Sequence, residues 1–399
     1  MTVRMGVEEE FHVIDVESGS LVPRADALLA GLPRGTYTHE LSQSMVETNS
    51  EVHTSLRGLH ADLCRSRQRL DAAASRQGLA VVAAGAAPLG RVESVRITPA
   101  PRYEKMAREY RRVADEQLIC GAQVHVDIPD HETAVRAMCA VGPWLPPLLA
   151  LSASSPFWLG ADTGYASWRT MVWQRWPTAG PAGCFAGAED YDGTVAGLIG
   201  SGVISDAGMI YYDVRPSAHQ QTLELRVCDA CPRVETVVMI AGLFRALVTE
   251  ACARLAATGG RTGCDGRHEW LRAATWRAAR SGLEAELIDP ETRRPAPAAQ
   301  VVQTLLRHTR PMLEAYGDWD LVQELARQTV SAGSAAHRLR ETAAREDLLA
   351  GVDLLVSETR GEQPTRRRSR PAPPHDITHR RTGPWESVRT NSFGGGQVY

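Results

Sequence analysis

Gly6-Val7-Glu8-Glu9-Glu10-Phe11 places three consecutive acids inside a stretch that otherwise has the pattern of a buried strand. Successive side chains of a strand alternate between its faces, so Glu8 and Glu10 share one face and Glu9 points to the other. Two adjacent carboxylates repel each other, and burial adds the cost of removing them from water. A bound divalent metal would remove both costs, whereas a solvated edge strand would avoid them. These residues alone fit both interpretations.

Further segments have the same period-two pattern, with one apolar face and one polar face. Their polar faces carry Glu, His, Gln and Arg rather than the Ser, Thr and Lys of an ordinary solvated face. Strands of this kind side by side predict a sheet with a polar, metal-competent surface. The polar faces carry Gln123, His125 and Asp127 in residues 120–128, Tyr211, Asp213 and Arg215 in residues 210–215, and Glu224 and Arg226 in residues 222–229.

Glu40 and Glu47 add two more carboxylates near the N-terminus. Their spacing of seven residues is odd, which puts them on opposite faces of a regular strand, so a bulge or a turn must lie between them. Oxygen ligands with at most one imidazole suit hard cations such as Mg²⁺, or Mn²⁺ as the alternative, better than zinc.

The basic residues are almost all arginine, because Lys105 is the single lysine among 44 basic residues. No glycine-rich loop ends in Lys-Ser or Lys-Thr, which excludes a P-loop nucleotide site. Phosphate would have to be bound by metal ions and by arginine, whose planar fork of donors matches phosphate oxygens. For any single arginine, a surface salt bridge is the competing interpretation. The candidates are Arg102, Arg169, Arg215 and Arg226.

Five segments, in this order along the chain, resemble the type 2 glutamate–cysteine ligase family, and within it the YbdK-type carboxylate–amine ligases of bacteria. The resemblance covers residues 4–350. The segments are Gly6–Phe11, Glu40–Glu47, Gly121–Val126, Ser154–Arg169, and Asp213–Ser217 with Thr222–Val227.

The resemblance implies an α+β, glutamine-synthetase-like catalytic fold, with a curved, mainly antiparallel sheet whose polar concave face is backed by helices. It also implies an ATP-dependent ligase that joins a carboxylate to an amine through an acyl phosphate and releases ADP and phosphate. The default substrates are the γ-carboxylate of L-glutamate and L-cysteine, and ATP and Mg²⁺ are the expected cofactors.

The resemblance also assigns roles to residues. The expected metal ligands are Glu8, Glu10, Glu40, Glu47, His125 and Glu224. The expected contacts to ATP are Gln123, Arg169, Arg215 and Arg226, with Arg226 against the transferred phosphoryl group. The expected catalytic group is Arg226, Glu47 and His125.

Two segments depart from the family pattern and leave the choice of substrate open. Many relatives carry a Glu-Asn pair where this chain has Ala273-Ala274. Relatives also tend toward Gly-x-Gly-Ala and Gln-Arg where this chain reads Gly333-Ser-Ala-Ala-His337-Arg338.

Length and pattern predict one catalytic domain, residues 1–356, followed by a disordered basic tail rich in Pro and Gly, residues 357–399. Residues 160–187 read as a long loop whose Trp168, Trp173 and Trp176 either line the substrate pocket or pack beneath the loop. Helices are predicted over 55–80, 132–152 with a break at its prolines, 233–257, 299–316 and 320–356.

The charge is unevenly distributed between a basic tail and an acidic body, which indicates what kinds of partner each can bind. Residues 360–399 hold eight arginines and three acids, a net charge of +5, so the net charge of −3 leaves about −8 for residues 1–359. An acidic body argues against nucleic-acid binding by the catalytic domain. The expected partners are small-molecule carboxylates and amines, with no membrane, and a homo-oligomer is compatible with the sequence.

The cysteines read as free thiols of a cytoplasmic protein, because the sequence shows no signal peptide and no apolar run judged long enough to span a bilayer. Cys228-Asp-Ala-Cys231 is a weak zinc or redox signal without a second pair, and simple packing is the competing interpretation.

Three other functions stay open on sequence grounds. A metal-dependent hydrolase would use His125, Asp127 and the glutamates to activate water. A non-catalytic relative would bind ATP or a metabolite as a sensor. A phosphotransferase related to the phosphagen kinases would consume ATP without forming an amide.

Overall fold

The sheet is built around one long strand, β1 (Met5–Asp15), in the computed structural model, which describes residues 3–260 and 268–362. Apolar side chains at alternate positions of β1 are buried, whereas Glu8 and Glu10 on the other face are half-buried. This is the alternation that the sequence predicts. It gives the sheet one face for the core and one face for charged groups.

The other strands are β2 (Tyr37–His39), β3 (Met45–Asn49), β4 (Leu79–Val82), β5 (Ala122–Asp127), β6 (Phe157–Trp158), β7 (Ala161–Asp162), β8 (Val214–Pro216), β9 (Thr222–Leu225), β10 (Glu286–Ile288) and β11 (Pro295–Pro297). Seven of the described strands form one sheet in the order β2-β3-β1-β5-β9-β8, with β4 also paired to β1. All of these pairings are antiparallel, which confirms the predicted mainly antiparallel sheet. The strand predicted over 210–215 pairs regularly only from Val214.

Helices pack against the apolar face of this sheet, chiefly α2, α5, α9 and α14. The helix α9 is apolar on nearly all sides because it runs through the core, where helices of other layers surround it. The helices are α1 (Ala25–Leu29), α2 (Leu56–Ser75), α3 (Pro101–Tyr110), α4 (Arg112–Asp115), α5 (His131–Val141), α6 (Leu145–Ser152), α7 (Trp168–Trp173), α8 (Ala188–Gly200), α9 (Val234–Ala257), α10 (His268–Ser281), α11 (Ala298–Tyr316), α12 (Trp319–Ala332), α13 (Ala335–Arg345) and α14 (Leu348–Arg360).

The break predicted in residues 132–152 is present. A short 3₁₀ turn, Gly142–Trp144, separates α5 from α6, and Pro146 and Pro147 lie in the first turn of α6. Proline is tolerated there because the first amides of a helix have no partner within the helix.

Two helical stretches, His131–Ser152 and Val234–Ala257, are long and apolar enough to cross a membrane. The prediction that no apolar run reaches that length is therefore wrong. The most apolar windows of the two stretches are 89% and 72% buried inside the fold, as expected for core helices.

The C-terminal part of the domain differs in detail from the prediction. Residues 320–356 form three helices rather than one, and α14 continues to Arg360, past the predicted domain boundary at residue 356. The side chain of Glu358 is buried and accepts hydrogen bonds from Arg233 and Arg338, which fixes this last turn in the core. The basic tail from residue 363 lies outside the described residues.

The segment 160–187 is not a continuous loop, because it contains β7 and α7. Its end is tied to α5 by a disulfide between Cys184 and Cys139, so the prediction that all cysteines are free thiols is wrong. The fold brings these two residues together across 45 positions of sequence, and their spacing alone gives no sign of it.

Candidate active site

The register of the sheet brings the predicted site residues together on its polar face. Paired residues of an antiparallel sheet point to the same side, so each cross-strand pair juxtaposes two side chains. The pairs are Glu10 with Glu47, Glu8 with Asn49 and Gln123, and Glu224 with His125 and Arg215.

Glu8, His125 and Glu224 form the first potential metal-binding group, with one ligand atom of each lying within 4.8 Å of the others. The Nδ1 atom of His125 is 2.9 Å from Oγ1 of Thr222. The Nε2 atom is 3.2 Å from Oε1 of Glu8, yet it forms no hydrogen bond among the described residues. Burial opposes the charged imidazole, but the carboxylates of Glu8 and Glu224 outweigh burial and raise the pKa of His125.

Glu10, Glu40 and Glu47 form the second group, again with ligand atoms within 4.8 Å of one another. Glu40 follows β2 directly, and a turn over residues 41–44 leads into β3, which supplies the break that the odd spacing requires. Burial, together with the charges of Glu10 and Glu47, raises the pKa of Glu40 well above its ordinary value. Burial and the charges of Glu8 and Glu10 raise the pKa of Glu47 to about 7.

Glu224 is held between two arginines. Arg215 donates from Nε to Oε2 at 2.8 Å, and Arg226 contacts the other carboxylate oxygen. Burial alone would raise the pKa of Glu224, but the charges of Arg226, Arg215 and His125 lower it to about 2. Glu224 is therefore ionised throughout the physiological range.

Arg215 and Arg226 differ in what their donors do. Arg215 also donates to the carbonyls of Gly208 and Ile210, at 2.8 and 2.6 Å, so it mainly orients Glu224. The Nε atom of Arg226 has no partner within the described part of the chain. Arg226 therefore keeps donor capacity at the edge of the carboxylate groups, and the Nε atom of Arg169 is likewise unpartnered among the described residues.

An inner cavity adjoins the carboxylate groups. The guanidinium of Arg169 lies 5.7 Å from the ring centre of Trp173, and that of Arg226 lies 5.6 Å from the same ring, so both cations stack on one indole. Donors and aromatic surfaces of this kind suit an organic anion. The polar and aromatic residues that line this inner cavity are Glu10, Glu40, Arg102, Tyr103, Gln117, Gln123, Arg169, Trp173, Trp176, Tyr211 and Arg226.

An outer cavity lies over the metal-competent face and shares part of its wall with the inner cavity. The shared residues include Glu10, Glu40, Gln123 and Arg226. The outer cavity adds the first potential metal-binding group (Glu8, His125 and Glu224), Glu47 of the second group, Arg215 of β8, and the loop between β8 and β9 with Ser217, Ala218, His219 and Gln220.

The donor set fits a hard divalent cation. Five carboxylates and one imidazole are the ligand types expected for Mg²⁺ or Mn²⁺. The buried Nε2 of His125 lacks a hydrogen-bond partner among the described residues. Burial and the neighbouring carboxylate charges raise the pKa of Glu40 and of Glu47. Bound cations would give Nε2 of His125 a partner and would offset the negative charge beside Glu40 and Glu47.

The structure thus brings all six predicted metal ligands into two neighbouring groups, with Gln123 between them donating to Glu10 at 2.8 Å. Asp127 is elsewhere, because it pairs with Arg4 at the end of β5. Trp173 and Trp176 line the inner cavity, whereas Trp168 packs against Tyr165.

Sequence reasoning missed residues that support the site. Thr222 holds the ring of His125, and Tyr103 lines the inner cavity while donating to the carbonyl of His39 at 3.2 Å. A signal existed for Thr222, because it lies two positions before Glu224 and so shares its strand face. No pattern indicated Tyr103.

A third acidic group, Glu51, His53 and Asp62, lies apart from both cavities. Asp62 accepts a hydrogen bond from the backbone amide of Glu51 at 2.8 Å and lies 3.0 Å from Nε2 of His53. These contacts occupy the carboxylate of Asp62 and Nε2 of His53.

Comparison with known structures defines the fold. A glutamate–cysteine ligase of Francisella tularensis, solved in complex with AMP, superposes with a TM-score of 0.69 at 10% identity, over 90% of this chain and 89% of that chain. A bifunctional glutathione synthetase of Pasteurella multocida superposes with a TM-score of 0.68 at 15% identity, over 90% of this chain and 52% of that chain. The fold is that of these ligases, which confirms the expected glutamine-synthetase-like architecture.

The sequence profile of glutamate–cysteine ligase family 2 matches residues 4–357. A protein of Frankia casuarinae, provisionally named glutamate–cysteine ligase 2-2, is 53% identical over 91% of this chain, and this chain spans 42% of its length. A relative of the same provisional name from Mycolicibacterium smegmatis is 49% identical over 89% of both chains. The chain belongs to glutamate–cysteine ligase family 2.

Proposed function

We propose that this protein is an ATP-dependent carboxylate–amine ligase that uses Mg²⁺. The observation that supports this most directly is the juxtaposition of two metal-competent groups with Arg226, on one face of the sheet, beside a cavity lined by guanidinium and aromatic groups. Membership in glutamate–cysteine ligase family 2 supports the same reaction.

The proposed reaction has two steps. A carboxylate oxygen of the first substrate attacks the γ-phosphorus of ATP, which forms an acyl phosphate and releases ADP. The amine then attacks the acyl carbon, the carbon–oxygen bond to phosphate breaks, and phosphate leaves as the amide forms. The protein contributes positioning and charge stabilisation rather than covalent chemistry.

Glu8, His125 and Glu224 would hold one cation, and Glu10, Glu40 and Glu47 would hold another. Mg²⁺ bound there would neutralise charge on the phosphates of ATP. Arg226, with its unpartnered Nε, would donate to the phosphoryl group in transfer. Gln123 flanks the same position, and Arg215 keeps Glu224 ionised and oriented.

The inner cavity would take the acid substrate. Arg169, which the sequence resemblance assigned to ATP, lines this inner cavity and not the outer one, so we propose that it contacts the acid instead. Arg169 and the indole of Trp173 offer a cationic and aromatic wall, and the shared wall at Glu10 and Arg226 leads to the phosphoryl-transfer face. L-Glutamate as the acid and L-cysteine as the amine are the default pair because of the family. A cytoplasmic location and assembly into a homo-oligomer remain predictions.

The test is ADP release with ATP, Mg²⁺ and hydroxylamine, across L-glutamate and a panel of other carboxylic acids, with hydroxamate measured in the same samples. Hydroxylamine is a small, strong nucleophile that traps an acyl phosphate without the natural amine. ADP and hydroxamate that both depend on one acid would establish the ligase and identify that acid. L-Cysteine and other amines are then tested as the second substrate in the presence of that acid.

Other outcomes would contradict the proposal. ADP without hydroxamate would indicate a phosphotransferase or an ATPase. Bound ATP with neither product across the panel would indicate a sensor. Metal-dependent hydrolysis of an amide or ester without ATP would indicate the hydrolase.

A further inference from the structure

The Cys228-Asp-Ala-Cys231 motif is explained by its aspartate rather than by its cysteines. Both cysteines are buried free thiols, and Asp229 between them is fully buried. Its carboxylate accepts three hydrogen bonds from two segments that flank residues 156–166. The donors are the backbone amide of Ser154 at 3.0 Å and the Oγ atom of Ser155 at 2.7 Å, both to Oδ2, and the Oγ atom of Ser167 at 2.7 Å to Oδ1.

The two serine hydroxyls also accept from the start of α7. The backbone amide of Arg169 donates to Ser155 Oγ at 3.1 Å, and that of Thr170 donates to Ser167 Oγ at 3.3 Å. A hydroxyl has one proton, and both carboxylate oxygens of Asp229 are the acceptors in these three hydrogen bonds. Burial raises the pKa of Asp229, while the charge of Arg169 and the same three donors act in the opposite direction. Asp229 therefore draws the proton of each serine toward itself and leaves the serine lone pairs facing the two amides of α7.

α7 carries two residues of the inner cavity, Arg169 and Trp173. The fit around this network is tight, because a Cβ atom at Gly85 would lie 2.5 Å from the carboxyl carbon of Asp229. A Cβ atom at Gly121 would likewise lie 2.5 Å from Nη2 of Arg169. Neither the carboxylate nor the guanidinium has room to shift toward these backbones.

We propose that Asp229 is a positioning residue for the inner cavity: through Ser155 and Ser167 it fixes the start of α7 and thereby the place of Arg169. The proposal rests on the proposed function, since it assigns the acid substrate to the cavity that Arg169 lines. Asp229 itself touches neither cavity.

The Asp229→Asn variant tests the proton arrangement with almost no change of volume. Oδ2 takes two donors, so the amide nitrogen is expected at the Oδ1 position, where it faces Ser167 Oγ. The Ser167 proton can no longer point at residue 229 and turns toward Oγ1 of Thr170, 2.9 Å away, which changes the geometry of the cap that the Thr170 amide makes with the same serine oxygen. We expect the KM for the acid to rise by about tenfold or more, with the KM for ATP unchanged.

Asp213→Asn is the matched control. Asp213 is also buried and its charge also interacts with Arg169, but none of the hydrogen bonds described for the three serines involves it. Because burial raises the pKa of Asp213 to about 7, the two variants are compared at a pH well above that value. If the loss of any buried negative charge near Arg169 were enough to raise the KM for the acid, both variants would raise it. That result would overturn the proposal. A change confined to Asp229→Asn supports it.

A double-mutant cycle separates positioning from general destabilisation. In an Arg169→Gln background, Asp229→Asn should add little to the KM for the acid, because both changes act through one group. Additive effects would contradict the proposal. Ser167→Ala supplies a second variant, and it should shift the same KM in the same direction even if Asp229→Asn folds poorly.

The ligase activity and the positioning role of Asp229 can be refuted separately. A wild-type protein that forms no hydroxamate with any acid of the panel would overturn the proposed function and this inference with it. An active wild type whose KM for the acid is unchanged in both Asp229→Asn and Ser167→Ala would overturn this inference alone.

Discussion

The Oγ1 atom of Thr222 lies 2.9 Å from Nδ1 of His125, which leaves Nε2 as the ring nitrogen that faces Glu8. A hydrogen bond to one imidazole nitrogen fixes the orientation of the ring and commits the other nitrogen to a ligand. Thr222 thus has the position of an outer partner of the proposed metal ligand His125.

We expect Thr222→Val to weaken Mn²⁺ binding by about tenfold to a hundredfold, since the ring of His125 loses its restraint. Titration followed by electron paramagnetic resonance of free Mn²⁺ measures this without turnover. Thr329→Val is the control, because that hydroxyl donates to a helix carbonyl at 2.8 Å far along the chain in α12. Equal affinities of Thr222→Val and wild type would exclude the role.

Removing a central ligand should stop ATP turnover while the fold persists. Glu47→Gln keeps the shape of the side chain and removes its charge, and His125→Ala removes the imidazole of the group formed with Glu8 and Glu224. We expect each to lower ADP formation by at least 10² to 10³-fold, on the order of the loss of one electrostatic contact in a transition state.

Glu51→Gln is the matched control for that experiment, because Glu51 belongs to the separate acidic group with His53 and Asp62. It should retain wild-type turnover. Far-ultraviolet circular dichroism checks the fold of each variant. Full activity in Glu47→Gln or His125→Ala would refute the site assignment.

Strand alternation made the polar face predictable, because it depends only on neighbouring residues. Glu8 with Glu10, and Glu224 with Arg226, share a face for that reason alone. The turn after Glu40 followed from odd spacing. The alternating strands predicted only a sheet with one polar face, and the fold class followed from the resemblance to the family.

Contacts between distant segments were not predictable. The partner of Glu9 is Arg67, which lies 58 positions away on α2, and Cys139 meets Cys184 across 45 positions. The proton arrangement around Asp229 depends on three segments at once. No local period encodes such contacts, because they arise only when the layers pack.

The raised pKa of Glu47 predicts how stability changes with pH in metal-free protein. A carboxyl whose pKa is about 7 when folded and 4.5 ordinarily binds its proton more tightly in the folded state. Its contribution to stability is fully present below pH 4.5 and is lost as the pH rises through about 7. The Glu47→Gln variant lacks this contribution.

We therefore expect the Tm of the metal-free wild type to fall, relative to Glu47→Gln, between about pH 5 and pH 8. Thermal unfolding in EDTA across that range measures the difference. Added Mg²⁺ should raise the Tm of the wild type at the upper end more than that of the variant. Parallel pH profiles for the two proteins would show that Glu47 titrates normally.

One of the three acids in the opening motif is structural. Glu9 is 1% exposed on the apolar face of β1, and Arg67 donates to it from Nη2 at 2.5 Å and from Nε at 3.2 Å. Arg67 also donates to the carbonyls of Cys231 and Pro232, at 2.8 and 2.5 Å, so the pair ties β1 and α2 to the segment before α9. The cation that this acid needs is supplied by the protein itself.

Removing either partner leaves a buried charge without compensation. We expect Glu9→Gln and Arg67→Met each to lower the free energy of unfolding by about 3–5 kcal/mol, and the double variant to lose less than their sum. Urea denaturation measures all three. Arg65→Met, which breaks a pair between an exposed arginine and the half-buried Asp62, should cost at most about 1 kcal/mol. If the Glu9 and Arg67 variants cost no more than this control, or their effects add, the pair does not hold the strand to the helix. The burial of Glu9 between Glu8 and Glu10 would then need a different explanation.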